Sequence, residues 1–117
     1  MKIRDYHKIE QRAAYPREGA RGVGLRVAIA KEDGARDLAM RVYELDPGGF
    51  TPLHSHPWEH AVFIVRGSGK IFDGKKECRL EQNDCLYIAP DEKHQITNTG
   101  DQTMLVISVV PIKEDEA

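Results

Sequence analysis

From residue 25 onward, short runs of β-branched and aromatic residues alternate with turn-forming clusters, and nothing between them is long or periodic enough for a helix. Residues 25–30 form the first run and stop at Lys31-Glu32-Asp33-Gly34; residues 38–45 form the second, closed by Asp46-Pro47-Gly48-Gly49. Residues 60–65 end at Arg66-Gly67-Ser68-Gly69. Residues 70–72 and 77–80 flank Asp73-Gly74-Lys75-Lys76, where Asp-Gly accepts the positive φ of a tight hairpin. Residues 85–89 follow Gln82-Asn83-Asp84, and runs at 94–98 and 103–110 lie either side of Thr99-Gly100-Asp101. Short strands at this spacing bury their apolar faces by packing sheet on sheet or by closing on themselves. The expected class is therefore all-β, a sandwich or barrel.

The first 24 residues read differently. Pro16, Gly19, Gly22 and Gly24 interrupt them, so they are expected to form an extended arm draped over the barrel or over a second subunit. The chain then divides into an arm at 1–24, a barrel domain at 25–112 and an acidic tail at 113–117. With 117 residues this is one domain. A net charge of −2 from interspersed acids and bases gives no footprint for nucleic acid, and no apolar run approaches membrane-spanning length. The charged start Met1-Lys2-Ile3-Arg4-Asp5 is no signal core, which makes the cytoplasm the expected location. Cys78 and Cys85 are expected as two reduced thiols on neighbouring strands, not as a disulfide.

Five histidines are present, and four of them are concentrated. In an extended chain the i, i+2 spacing of His54 and His56 puts both imidazoles on one face. Pro57 cannot donate to a sheet ladder, so a break is expected there and His60 should open the next strand. His94 begins a later run. Three segments thus bring four imidazoles toward one point, and imidazole suits divalent Zn, Cu, Fe and Ni. His7, by contrast, reads as an ordinary surface residue. On strand parity Val62 and Ile64 share the face of His60, and Ile96 shares that of His94; plain core packing explains them best. Trp58 reads as a partly buried anchor or a gate beside the ligands, and Asn98 as a structural strand-end residue. Arg26, Arg41 and Tyr43 fall on strands but are not placed by the sequence.

Gly48, His54, His56, His60 and Gly67, at these spacings, resemble the first signature motif of the cupin superfamily, with His60 where a glutamate ligand is usual. Glu59 is one residue out of register. Asn83, Ala89, Asp91, His94 and Asn98 resemble the second motif, with Asn83 and Asp91 in place of glycines; both residue types tolerate left-handed backbone. The resemblance spans residues 25 to 111. It is nearest to small single-domain cupins with four histidine ligands, and implies a double-stranded β-helix (a jelly-roll barrel), commonly a homodimer. It implies one divalent transition metal ion, Mn, Fe, Ni, Cu or Zn, held by His54, His56, His60 and His94.

Four neutral ligands leave the ion's +2 charge uncompensated, which favours an anionic ligand. The missing glutamate also removes a base that some family dioxygenases are thought to use. If the imidazoles fill one side of an octahedron, two cis positions stay open to water, substrate or dioxygen; a closed tetrahedron would be structural. Of these, the open site is expected. The expected function is a metal-dependent enzyme, dioxygenase-like or a related lyase or isomerase, acting on a small oxygenated molecule. The alternative is a non-catalytic binding module for a small molecule or metal. A metal-free epimerase ranks last, because it would not need clustered imidazoles.

Overall fold

A computed structural model describes residues 1–112; the acidic tail expected at 113–117 lies outside the described residues. Nine strands follow in order: β1 (Arg12–Ala13), β2 (Arg21–Ile29), β3 (Leu38–Phe50), β4 (His60–Arg66), β5 (Gly69–Phe72), β6 (Glu77–Leu80), β7 (Cys85–Ile88), β8 (Gln95–Asn98) and β9 (Met104–Pro111). Two 3-10 turns, Tyr6–Lys8 and Lys31–Asp33, punctuate them. The strands pair in the order β6-β5-β8-β3-β9-β4-β7, with β2 also on β3 and β1 on β2. This is the curled antiparallel sheet of a jelly-roll barrel: the alternation of runs and turns predicted the all-β class, and the cupin resemblance implied the form of the barrel.

β3 joins the two halves of the barrel. Leu38 to Leu45 pair along β9, and Phe50 pairs with Thr97 of β8. The Asp46-Pro47-Gly48-Gly49 cluster, expected to end a strand, instead forms a bulge inside this one. A step of two residues on β2, from Val23 to Arg21, spans five on β3, from Leu45 to Phe50. Gly48 takes φ +79 there, and residues 46–48 are exposed, so Pro47 sits where the ladder is already broken. The bulge bends β3 and carries it from one half of the barrel to the other.

Inside and outside follow from period-two alternation. Across β3 and β9 the pairs Arg41/Ser108, Tyr43/Val106 and Leu45/Met104 descend one face, and Val62 and Ile64 of β4 stand opposite Ser108 and Val106. Val23, Leu25 and Val27 of β2 oppose Leu45, Tyr43 and Arg41. Most of these residues belong to the core, together with Leu80, Ile88 and Ile96 from the other strands and Ala14 from the arm. On the opposite face Val42 and Leu105 are also buried, whereas Ile29, Phe63 and Tyr87 lie exposed.

Turn chemistry behaves as its residues predict. The Asp73 carboxylate accepts from the backbone N–H of Lys75 (2.9 Å) and Lys76 (2.8 Å), closing the β5–β6 hairpin. Asn83 (φ +77) and Asp91 (φ +66) both take the left-handed conformation their positions demand. Gly67 is held by space as well as by φ +97, since a Cβ there would lie 2.9 Å from Met104 Cα. Asn98, 1% exposed, donates to the Leu45 (2.9 Å) and Gln102 (2.8 Å) carbonyls and accepts from Gly100 N–H (2.9 Å). It ties the end of β8 to β3, the structural role its position predicted.

Two expectations need correction. Cys78 on β6 and Cys85 on β7 are consecutive along the chain but stand at opposite ends of the strand order, so they are not neighbours; both thiols are free and exposed. The first barrel strand also begins at Arg21, four residues before the expected boundary. The arm runs over the barrel's own surface, with Arg12 and Ala13 paired to Leu25 and Gly24. Arg26, on the outer face, pairs with Glu44 at 2.8 Å and donates to the Tyr6, His7 and Ile9 carbonyls at 3.0–3.2 Å. Glu44 also accepts from Gln11 at 2.8 Å. Arg26 thereby fastens the arm beside the barrel mouth.

Candidate metal centre

His54 and His94 face each other through a single antiparallel bridge, each accepting the other's backbone N–H at 3.0–3.2 Å. The His56 carbonyl accepts from Asp91 N–H at 2.7 Å, so the left-handed residue also fixes the histidine loop. His60 opens β4, as the break at Pro57 predicted. His54 and His56 share a face without lying in a regular strand, because an extended segment alternates its side chains just as a strand does. The loop brings the imidazole rings together: centroids lie 4.6 Å apart for His54–His94 and His56–His60, and 5.0–5.2 Å for His54–His56, His56–His94 and His60–His94. Nitrogen atoms of His54, His56 and His94 all lie within 4.8 Å of one another. His60 meets this set through His56, Nε2 to Nε2, at 2.9 Å.

The outer nitrogens are held by other groups. His56 Nδ1 lies 3.0 Å from the Trp58 carbonyl and His94 Nδ1 2.8 Å from the Glu92 carbonyl. A carbonyl only accepts, so both Nδ1 atoms carry the proton and both Nε2 atoms present a lone pair inward. His60 Nδ1 lies 3.1 Å from the Ser108 hydroxyl. His94 Nε2 is buried with no hydrogen-bond partner among the described residues. A buried acceptor left in this state is costly unless a partner answers it, and a cation at the point where the lone pairs meet would do so. The donor set therefore fits a transition metal ion.

Burial keeps the rings neutral. Desolvation, followed by the neighbouring histidines and Arg41, holds His60 down to about 3. Desolvation with His94 and His56 holds His54 down to about 4, and His94 is lowered chiefly by burial. Neutral imidazole is the form that ligates. Below the rings a pocket of about 30 Å³ is walled by Val62, Ile96 and Ile88, confirming Val62 and Ile96 as core residues around the site. Above them an open cavity of about 860 Å³ is shared by His54, His56, Trp58, Tyr15, Tyr43 and Arg41. Trp58 stacks on His56, centroids 4.2 Å apart and planes 7° apart. Tyr15 meets His54 edge-on at 5.4 Å, and its hydroxyl donates to that of Tyr43 at 3.3 Å; burial and Tyr43 raise the Tyr15 pKa.

The arm thus contributes Tyr15 to the mouth, a residue that no periodicity signals. Ser108, Arg41 and Tyr43 were legible in principle, since Leu45 is an obvious core residue and parity on β3 places Tyr43 and Arg41 on its side. Glu59 turns away from the rings and accepts from the exposed Tyr87 hydroxyl at 2.7 Å. Exposed His7 lies 3.1 Å from Asp5, a surface residue as expected.

A family model described as a cupin domain matches residues 41–110, more than half of the 117-residue chain. The chain belongs to the cupin family. Auxin-binding protein 4 of Zea mays is 27% identical over 95% of this cupin and 59% of its own length. An oxalate-binding protein of Thermotoga maritima is 29% identical over 57% of this chain and 56% of its own. The crystal structure of the polyketide cyclase RemF from Streptomyces resistomycificus superposes with TM-score 0.88 at 25% identity, covering 96% of this chain and 80% of that one. The cupin spans about half the length of the curated relatives it matches. No helix among the described residues is long and apolar enough to cross a membrane.

Proposed function

We propose that this cupin is a metal-dependent enzyme, an oxygenase or a related lyase or isomerase, in which His54, His56, His60 and His94 hold one divalent transition ion. The observation that carries the reading is the inward aim of the lone pairs: Nδ1 of His56 and His94 is fixed by a carbonyl, and the buried Nε2 of His94 has no hydrogen-bond partner among the described residues. A divalent ion supplies Lewis-acid or redox chemistry to an oxygen ligand. The protein's part is to keep His54, His60 and His94 neutral by burial, to fix His60 through Ser108, and to wall the mouth with Tyr15 and Trp58. No ligating carboxylate stands among the four, so an anionic, oxygen-bearing small molecule suits the site.

Metal analysis of protein purified without a histidine tag is expected to give one ion per chain, and iron-, manganese-, copper- or nickel-loaded protein to consume oxygen with a diketone, catechol or flavonoid. Failure to hold metal after reconstitution would end the reading. A second reading, a non-catalytic binding module, is favoured by the names of relatives described as auxin-binding and oxalate-binding. Capture of a ligand without chemical change by any metal form would select it. The apolar outer face with Ile29, Phe63 and Tyr87 supports a homodimer, and the free thiols of Cys78 and Cys85 support a reducing, cytoplasmic setting.

A further inference from the structure

We infer that Trp58 is a positioning residue for the metal centre: its indole face and its backbone carbonyl together hold the His56 imidazole in the orientation that ligates. The role rests on the proposed metal-binding reading and extends it to the residue that sets one ligand's orientation.

Of the four imidazoles, His56 has the least support from regular backbone pairing. His60 opens β4, and His54 and His94 are clamped to each other by their bridge. His56 stands in the loop between, outside any strand or bridge. Its carbonyl accepts from Asp91 N–H at 2.7 Å, which anchors the backbone and leaves the two side-chain torsions free. One residue restrains both. The Trp58 carbonyl lies 3.0 Å from His56 Nδ1 and fixes the edge of the ring that carries the proton. Hydrogen bonds to a carbonyl tolerate a broad range of directions, so the ring could still tilt about this one. The stacked indole removes that freedom, with centroids 4.2 Å apart and planes 7° apart. His54, by comparison, meets Tyr15 only edge-on, at 88°.

The local sequence builds the brace. Pro57 fixes its own φ and biases His56 toward extended backbone, so the carbonyl and ring that meet the imidazole come from only two residues on. A plain anchoring role for Trp58 is the competing account, and the packing speaks against it. Trp58 is half-buried between exposed Pro57 and Glu59. Neither the core cluster nor the partly buried residues packed against it include Trp58. Among the described residues, the ring that it stacks on is a candidate ligand.

The test uses the full chain with cobalt(II) alone, whose visible absorption reports ligand geometry and whose affinity is read by competition with a chelator. Trp58→Leu keeps apolar bulk and loses the flat face, whereas Trp58→Phe keeps a flat face; both retain the backbone carbonyl. Trp58 lies outside the core, so both variants are expected to fold. Trp58→Leu should weaken cobalt binding about 10-fold or more and shift the absorption bands of the loaded protein, and Trp58→Phe should restore both toward wild type. A residue that only anchored the loop would lower the unfolding free energy of the metal-free protein and leave affinity and bands unchanged. That result, or an equal loss in the two variants, would overturn the inference. If the wild type takes up no cobalt, the metal reading fails separately. The His56 ring nitrogens of metal-free protein, observed by NMR above neutral pH, then decide the hold on the ring. A single Nδ1–H tautomer in wild type and Trp58→Phe, with a mixture in Trp58→Leu, sustains it; the same populations in all three overturn it.

Discussion

Acidifying the metal-stripped protein from pH 7 to pH 5 should cost about 2 kcal/mol of unfolding free energy, most of it through two histidines. Unfolded histidines titrate near 6.5, roughly the value of a free side chain. In the folded chain burial and mutual repulsion hold His60 at about 3 and His54 at about 4. Above 6.5 both rings are neutral in both states, and pH has no leverage through them. Below 6.5 the unfolded chain takes up protons that the folded chain refuses, so stability falls as pH falls, and the loss is complete once pH passes through the folded values. At pH 5 each ring would cost about 2 kcal/mol if its shift were fully expressed, from about 1.4 kcal/mol per unit over about 1.5 units. The rings are only half buried and part of each shift is repulsion from the neighbouring histidines, which reduces the sum of about 4 kcal/mol to roughly half.

Urea unfolding at the two pH values, with a chelator present and the slope unchanged, measures this directly. Asp33 is held at about 2 by Arg4, and Asp5, Asp73 and Glu44 are also lowered, so these groups titrate below the window. His60→Gln removes the most depressed ring and should remove about half of the loss. Equal stability at pH 7 and pH 5, or an unchanged loss in His60→Gln, would refute the account. The same depression means that bound metal should survive below pH 6.5, where free histidines would already be half protonated, because these rings compete poorly for protons.

Two substitutions separate fold from site. Asn98→Ala deletes three hydrogen bonds of a buried side chain and should destabilise the barrel by about 3 kcal/mol in thermal or urea unfolding, while zinc content stays unchanged. Ser108→Ala frees His60 Nδ1 and should weaken metal affinity about tenfold in competition with a chelator, with little change in unfolding free energy.

The strands were legible because alternation writes itself into sequence, and the histidine cluster because four imidazoles arrive from three short segments. Asn83 and Asp91 were legible through backbone chemistry alone, as residues able to take positive φ. The order of strands was not. Period-two patterning says which face is buried and nothing about which strand lies beside it, so Cys78 and Cys85 were placed next to each other although β5, β8, β3, β9 and β4 lie between their strands. The bulge in β3 was misread for a related reason: Asp-Pro-Gly-Gly signals a broken ladder, and whether the chain reverses or merely bends is decided by partners distant in sequence. Tyr15 lay beyond reach because the arm has no period of its own; its position is set by pairing to β2 and by Arg26.

The charge of the site traces back to the same alternation. Glu59 and His60 are adjacent, and only one can face the barrel interior. Had Glu59 done so, the donor set would be three imidazoles and a carboxylate, and a divalent ion there would carry one net positive charge instead of two. What decides between them is two and four residues further on. Ile64 is 0% exposed and Val62 5%, whereas Phe63, between them, is 37% exposed on the outer face. A slip of one residue would drive both aliphatic side chains into water, at roughly 1.5–3 kcal/mol each, and bury a carboxylate without a partner. The hydrophobic register of β4 thus holds His60 inward and leaves Glu59 to the Tyr87 hydroxyl outside. Which of the two neighbours joins the histidine cluster is decided by the packing of two aliphatic residues.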